Sequence, residues 1–241
     1  MIIKECIFEP KRYWSPYGSA IPPAGWPDTS RFHHDLDDIV APAEADWGQR
    51  DSGLWEKVFD GNDYMEAGNA DTLAMDGVHG GLNQGYTFMC WFTVTHGAEV
   101  SQILLGRYQL DVGGWELYFS FTGGVSSITQ RHHHAGTIVD ANPRSASYSE
   151  GWLQDTHWHM TLVFQGNGTD CLHYRNGVPL AVTSSTGGIR AMETTVQDLV
   201  MGARYTKDAN WHIGPISLPL MFNYIMTPEA INAKYQSQLY L

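Results

Sequence analysis

A chain of 241 residues accommodates one large domain or two small ones, and its 43% apolar content supplies a sizeable core. A net charge of −12, without any basic stripe, excludes the clustered cations that nucleic acid and anionic membrane surfaces require. With 25 glycines, 12% aromatics and only 17% charged residues, the composition points to an all-β domain with many turns.

The first 53 residues stand apart. After an apolar opening (Ile2, Ile3, Ile7, Phe8) come Pro10, Pro16, Pro22, Pro23 and Pro27, interleaved with Trp14, Tyr17 and Trp26. Proline at this density prevents continuous strands or helices, yet so aromatic a segment is not a solvated linker. An extended arm packed on its own domain or on a neighbouring subunit explains both, with a first strand within 31–40. The opening lacks the apolar stretch of a signal peptide, and no run approaches the ~20 apolar residues of a membrane span. Synthesis in the cytoplasm without ordinary secretion is therefore expected.

From residue 54 onward the pattern is that of strands. Trp55 to Phe59 leads to a turn at Asp60-Gly61-Asn62-Asp63, then Tyr64 to Ala67. Tyr86 to Val94 carries bulky groups at both parities, which predicts a central strand covered on both faces. Further strands are expected over 100–108 and 115–122, with a turn over 110–114 between them, and a loop over 142–149. Trp158, Met160, Leu162 and Phe164 alternate with His159, Thr161 and Val163. The next strand, Cys171 to Arg175, meets Asn176-Gly177, a pair suited to a type I′ turn because both residues tolerate positive φ. The run 211–224 closes the sandwich. Thr227 as N-cap with Pro228 behind it starts a short helix.

Three of these stretches, in order, resemble the laminin G-like group of concanavalin A-like jelly rolls: Phe59 to Met65, the aromatic-His strand with its Tyr-x-Asn-Gly hairpin, and Phe222 to Ile231. The resemblance spans roughly residues 54–235. It implies a two-sheet jelly-roll sandwich over 54–241, preceded by the irregular arm and first strand of 1–53 and ending in the short helix. Relatives in that group act mostly outside cells, whereas no leader is expected from the opening of this sequence. A subunit of a phage or virus particle (decoration, fibre or tail) reconciles the two, and a lectin-like carbohydrate-binding protein is the alternative.

Glucanase relatives carry paired carboxylates in an E-x-D-x-x-E pattern, and glycoside hydrolysis needs two such groups; here Glu116 stands alone on its strand, and Asp35, Asp37 and Asp38 fall in an irregular region. No G-x-S-x-G elbow or phosphate-binding loop occurs, so an enzyme is not expected. His132/His134 and His157/His159 have metal-chelating i, i+2 spacing, but no third ligand accompanies them, and exposed or packed histidines are the plainer reading. Asp60, Asn62 and Asp63 could supply calcium ligands or simply close a turn; no other cofactor is implied. The acidic pair and arginine of the relatives' closing strand are replaced by Ser217, Leu218 and Leu220, which puts a family cation site in doubt.

Cys6, Cys90 and Cys171 are scattered without C-x-x-C spacing, so a zinc or redox motif is unsupported. For glycans, Trp115, Tyr148, Trp152 and Trp211 are the candidate stacking residues. For assembly into a homo-oligomer or particle, the candidates are Trp14, Tyr17 and Trp26 in the arm and Leu218 and Leu220 in the closing strand, whose alternation leaves neither face polar.

Overall fold

The computed structural model describes residues 6–9, 25–38, 47–50, 54–68, 85–93, 95, 101–109, 112–122, 125–132, 144–148, 155–164, 171–180, 184–185 and 195–239. In chain order the strands are β1 (Cys6–Phe8), β2 (Gly25–Trp26), β3 (Leu36–Asp38), β4 (Trp47–Gln49), β5 (Trp55–Asp60), β6 (Met65–Ala67), β7 (Tyr86–Thr93), β8 (Ser101–Gln109) and β9 (Gly113–Thr122). They continue as β10 (Val125–His132), β11 (Arg144–Tyr148), β12 (His157–Phe164), β13 (Cys171–Arg175), β14 (Val178–Leu180), β15 (Ser184–Ser185), β16 (Leu199–Met201) and β17 (Ile213–Phe222). One helix, α1 (Pro228–Gln238), follows.

The strands form two antiparallel sheets. One runs β14-β13-β12-β7-β17-β5-β4, with β1 also paired to β17; the other runs β15-β11-β10-β9-β8-β16-β6-β3-β2. Side chains alternate across a strand, so Phe88, Cys90, Phe92, Met160 and Leu162 from the first sheet meet Leu105, Trp115, Leu117, Phe119 and Ile128 from the second in one buried cluster. Tyr86 bridges the layers, accepting a 2.8 Å hydrogen bond from Gln130 Nε2 while its ring lies 5.9 Å from Trp115.

The expectations drawn from local chemistry hold. Asn176 (φ 52°) and Gly177 (φ 75°) take the positive φ values of a type I′ hairpin between β13 and β14. Thr227 Oγ1 accepts from the Ala230 amide at the start of α1, with Pro228 behind it. β7 is covered on both faces: its other parity, Met89 and Trp91, lies under α1 with Leu218, Leu220, Met226, Ile231 and Tyr235. Trp91 Nε1 donates to Gln238 Oε1 at 3.1 Å and so ties the last turn of α1 to the sheet.

Several expectations are corrected. Leu218 and Leu220 are not assembly contacts, because both are buried beneath their own C-terminal helix. Nor do they share a face with Ile216. A bulge between Ser217 and Leu220, with Leu218 at φ 48°, resets the parity of β17. Ile216 and Met221 thus enter the inter-sheet core, while Leu218, Leu220 and Phe222 face the helix side. Trp26 is likewise used internally, edge-on to Trp47 at 5.5 Å within the core. Trp14 and Tyr17 lie outside the described residues. The expected loop over 142–149 contains strand β11, and β9 already begins at Gly113.

None of the three cysteines is in a disulfide; Cys6 is half-buried, and Cys90 and Cys171 are in the core. Burial pushes the Cys90 thiol far up, away from the reactive thiolate. Ellman titration of the native protein is expected to leave Cys90 and Cys171 unreacted until denaturant is added; rapid native modification of Cys90 would contradict this packing.

Candidate functional site

The residues of β9 and β10 that turn away from the core build a polar floor on the outer face of the larger sheet. Trp115, Leu117 and Phe119 point inward, so Glu116, Tyr118 and Ser120 point out. Thr122 and Val125 pair around a two-residue connection, and that register places Arg131 directly opposite Glu116. Across β8 the partner of Glu116 is Gly106, where a Cβ would stand 2.7 Å from that of Glu116. A side chain there would crowd the carboxylate, and glycine leaves it room.

Arg131 organises the floor. Its Nη1 donates to Glu116 Oε1 at 2.6 Å and its Nη2 to the Tyr118 hydroxyl at 2.9 Å. The guanidinium carbon lies 4.6 Å from the Tyr118 ring centre and 5.6 Å from that of Tyr108, a cation held between aromatic faces. Burial raises the Glu116 pKa, opposed by the nearby Arg131 and Arg204 guanidiniums. Burial also works against the charge of Arg131, but Glu116 and Tyr118 more than restore it.

The rim comes from β8 and from the segment 202–212. Asn210 Nδ2 donates to the Ser101 carbonyl at 3.2 Å, and the Ile103 amide donates to the Asn210 carbonyl at 2.9 Å. Within the segment, the Lys207 amide donates to the Arg204 carbonyl at 2.8 Å, and the Lys207 ammonium pairs with Glu66 on β6. Lys207 and Asn210 adopt φ near 60°, at 59° and 57°. These bonds fold the segment so that Arg204 and Asn210 overlook Glu116. Together with Ser101, Ile103, Tyr118 and Arg131 they enclose a pocket of about 230 Å³. That is below the ~300–1,000 Å³ of drug-sized sites, and suits a single ring or a chain end.

Of the stacking candidates, Trp115 is corrected: it is wholly buried beneath this floor and cannot meet a solute. Trp211 follows rim residue Asn210 and is half-buried, its ring 6.2 Å from that of Tyr64. Tyr148 ends β11, paired with Ile128, and Trp152 lies outside the described residues. Glu116, set aside in the sequence as a lone carboxylate, is the centre of the pocket. Among the described residues it is the one carboxylate of the lining and is bound to Arg131, whereas glycoside hydrolysis uses two carboxylates flanking the scissile bond.

The other candidate sites resolve into structure. Asp63 is buried against the Lys57 ammonium at 3.2 Å, and its Oδ1 accepts from the Asp60 amide. Asp60 Oδ1 accepts from the Asn62 amide. The trio closes a turn, and the buried Lys57 already supplies the cation that calcium would have been. His157 stacks on Trp91 at 5.2 Å and meets Thr93 Oγ1 through Nδ1 at 2.9 Å; His159 packs on Trp91 and Tyr235. Among the described residues no group of three or more His, Cys, Asp or Glu side chains could hold a metal ion. His134 lies outside them.

No protein-family model matches the chain, and no curated protein matches it. Solved structures do. The receptor-binding domain of a botulinum neurotoxin C/D mosaic superposes with a TM-score of 0.60 at 11% identity, over 97% of this chain and 51% of that one. The botulinum neurotoxin serotype G binding domain gives 0.59 at 14%, over 97% and 51%. Trypanosoma rangeli sialidase, in complex with the inhibitor DANA, gives 0.54 at 14%, over 94% and 33%. The fold is a concanavalin A-like jelly-roll sandwich. At these identities the likeness concerns the fold alone, and the chain spans about half the length of the neurotoxin chains and a third of the sialidase chain.

Proposed function

We propose that the chain is a glycan-binding module whose sugar occupies the pocket above Glu116 and Arg131. The observation that carries this reading is the pocket itself: an open concavity floored by a half-buried ion pair and rimmed by hydroxyl, amide and guanidinium groups. A sugar ring presents adjacent hydroxyls that both donate and accept. Glu116 accepts, and the Tyr118 hydroxyl and the Asn210 amide do either. Because Arg131 already holds Glu116 and Tyr118 in place, little side-chain entropy is lost when a ligand binds. Solved structures of the same fold include receptor-binding domains and a sialidase, which favours a recognition role over a purely architectural one.

The assembly reading rests now on Trp14 and Tyr17, since Trp26, Leu218 and Leu220 are buried within the chain. A broad glycan array tests the proposed function. Saturable binding is expected, weakened about tenfold in both Tyr118→Phe and Asn210→Ala, the loss of roughly one hydrogen bond each. Binding unaffected by either change would move the sugar elsewhere, and no binding at all by folded protein would overturn the proposal.

A further inference from the structure

The charges of the pocket do not balance. Among the described residues of the lining, Arg131 and Arg204 face a single carboxylate, Glu116, which Arg131 engages at 2.6 Å. The described lining therefore carries a surplus positive charge in a protein of net charge −12. Arg204 is the unspent group. Its Nε is buried without a hydrogen-bond partner, while its main chain is fixed by the bonds to Ala209 and Lys207. A buried guanidinium nitrogen without an acceptor costs stability, and that cost is relieved when a ligand brings an acceptor. A planar guanidinium matches a carboxylate through paired N–H donors.

Resting on the glycan reading above, we infer that the pocket is selective for an acidic sugar, whose ring carboxylate pairs with Arg204 while its hydroxyls meet Glu116, Tyr118 and Asn210. Glu116 enforces the direction of binding. A carboxylate placed over it would meet a like charge in a partly desolvated site, so the ligand's acidic end is driven toward Arg204 and its hydroxyls toward Glu116. Hydroxyl recognition and charge recognition thus fall on opposite sides of one small cavity. A neutral sugar would satisfy the first and leave Arg204 unpaired.

The test uses two probes that differ only at C6, D-glucuronic acid and D-glucose, each as its methyl glycoside. Titration is followed by chemical-shift perturbation on the full chain, with acetate as a third probe. Glucuronide is expected to bind at least tenfold more tightly than glucoside, with the preference shrinking as salt is raised. In Arg204→Gln the preference for glucuronide over glucoside should vanish, and in Arg204→Lys part of it should return. An unchanged melting temperature for both variants separates loss of the contact from loss of the fold. Equal binding of the two glycosides would overturn the inference and leave the glycan reading standing. Acetate binding as tightly as the glucuronide would also overturn it, since the pocket would then read a carboxylate and not a sugar. No binding of any probe by folded protein would defeat both readings.

Discussion

Acidification from about pH 7 to about pH 5 is expected to destabilise this protein by several kcal/mol. His159, His173 and His212 are each buried, and burial lowers each of their pKa values to about 3. In His159 the Gln238 side chain, and in His212 backbone partners at Pro215 and Thr93, oppose the shift without reversing it. The unfolded chain takes up these protons near the ordinary value of 6.5, and the folded chain does not. With the folded pKa below the unfolded one, the stabilisation is complete above about pH 6.5 and is lost progressively as pH falls toward 3. At about pH 5 each group has lost roughly 2 kcal/mol, or ~6 kcal/mol for the three.

His157, which is part-exposed, adds to this. Burial and then Arg50 also hold it at about 3, and the Glu56 carboxylate at 4.0 Å does not offset them. Glu56, Asp63 and Glu116 act in the opposite sense, since burial raises their pKa and protonation in acid relieves a cost. The four histidines, each held at about 3, set the direction of the net change. Domains of this kind have stabilities of about 5–15 kcal/mol, and a loss of ~6 moves the thermal midpoint by more than ten degrees. Melting curves from about pH 7.5 to about pH 5 check this. A midpoint constant to within a few degrees would refute it. Replacing His173 by Leu should remove one proton from the pH slope, about 1.4 kcal/mol per pH unit.

How much of this was legible in the sequence depends on the range of the forces involved. The Asn176-Gly177 hairpin, the Thr227 cap and the two-sided burial of β7 are set by neighbouring residues, and each is read correctly from the chain. The floor of the pocket was half legible. Trp115 shares parity with Leu117 and Phe119, which marks it as a core residue rather than a sugar platform. The pairing of Thr122 with Val125 sets position 116 opposite 131, yet Arg131 was hidden beside three histidines. The bulge at Leu218 was not legible, because a positive φ at leucine runs against its own preference and is imposed by packing between helix and sheet. Nor was the rim: Arg204 and Asn210 reach Glu116 only through backbone bonds to β8, which no local pattern encodes.

Replacing Lys57 by Met is expected to cost about 3–5 kcal/mol, the usual price of stranding one member of a buried ion pair. The Lys57 side chain is fully buried and its ammonium lies 3.2 Å from Asp63 Oδ2 and 5.7 Å from the Phe59 ring. Asp63 cannot leave with its partner, because its other oxygen accepts from the Asp60 amide and closes the turn into β6. Without the ammonium, that carboxylate would sit in the protein interior with its charge uncompensated. Its pKa, which burial already raises and which the Asp60 hydrogen bond and Lys57 together hold back, would climb further. Converting Asp63 to Asn in the same background removes the stranded charge while the amide oxygen keeps the Asp60 bond. The double variant Lys57→Met/Asp63→Asn should therefore recover most of the loss and stand within about 1 kcal/mol of the native protein. Urea denaturation of the native, single and double variants reads the coupling directly. A single variant as stable as the native protein would show that the pair contributes nothing. A double variant as unstable as the single would assign the loss to the lysine's packed methylene stem and not to its charge.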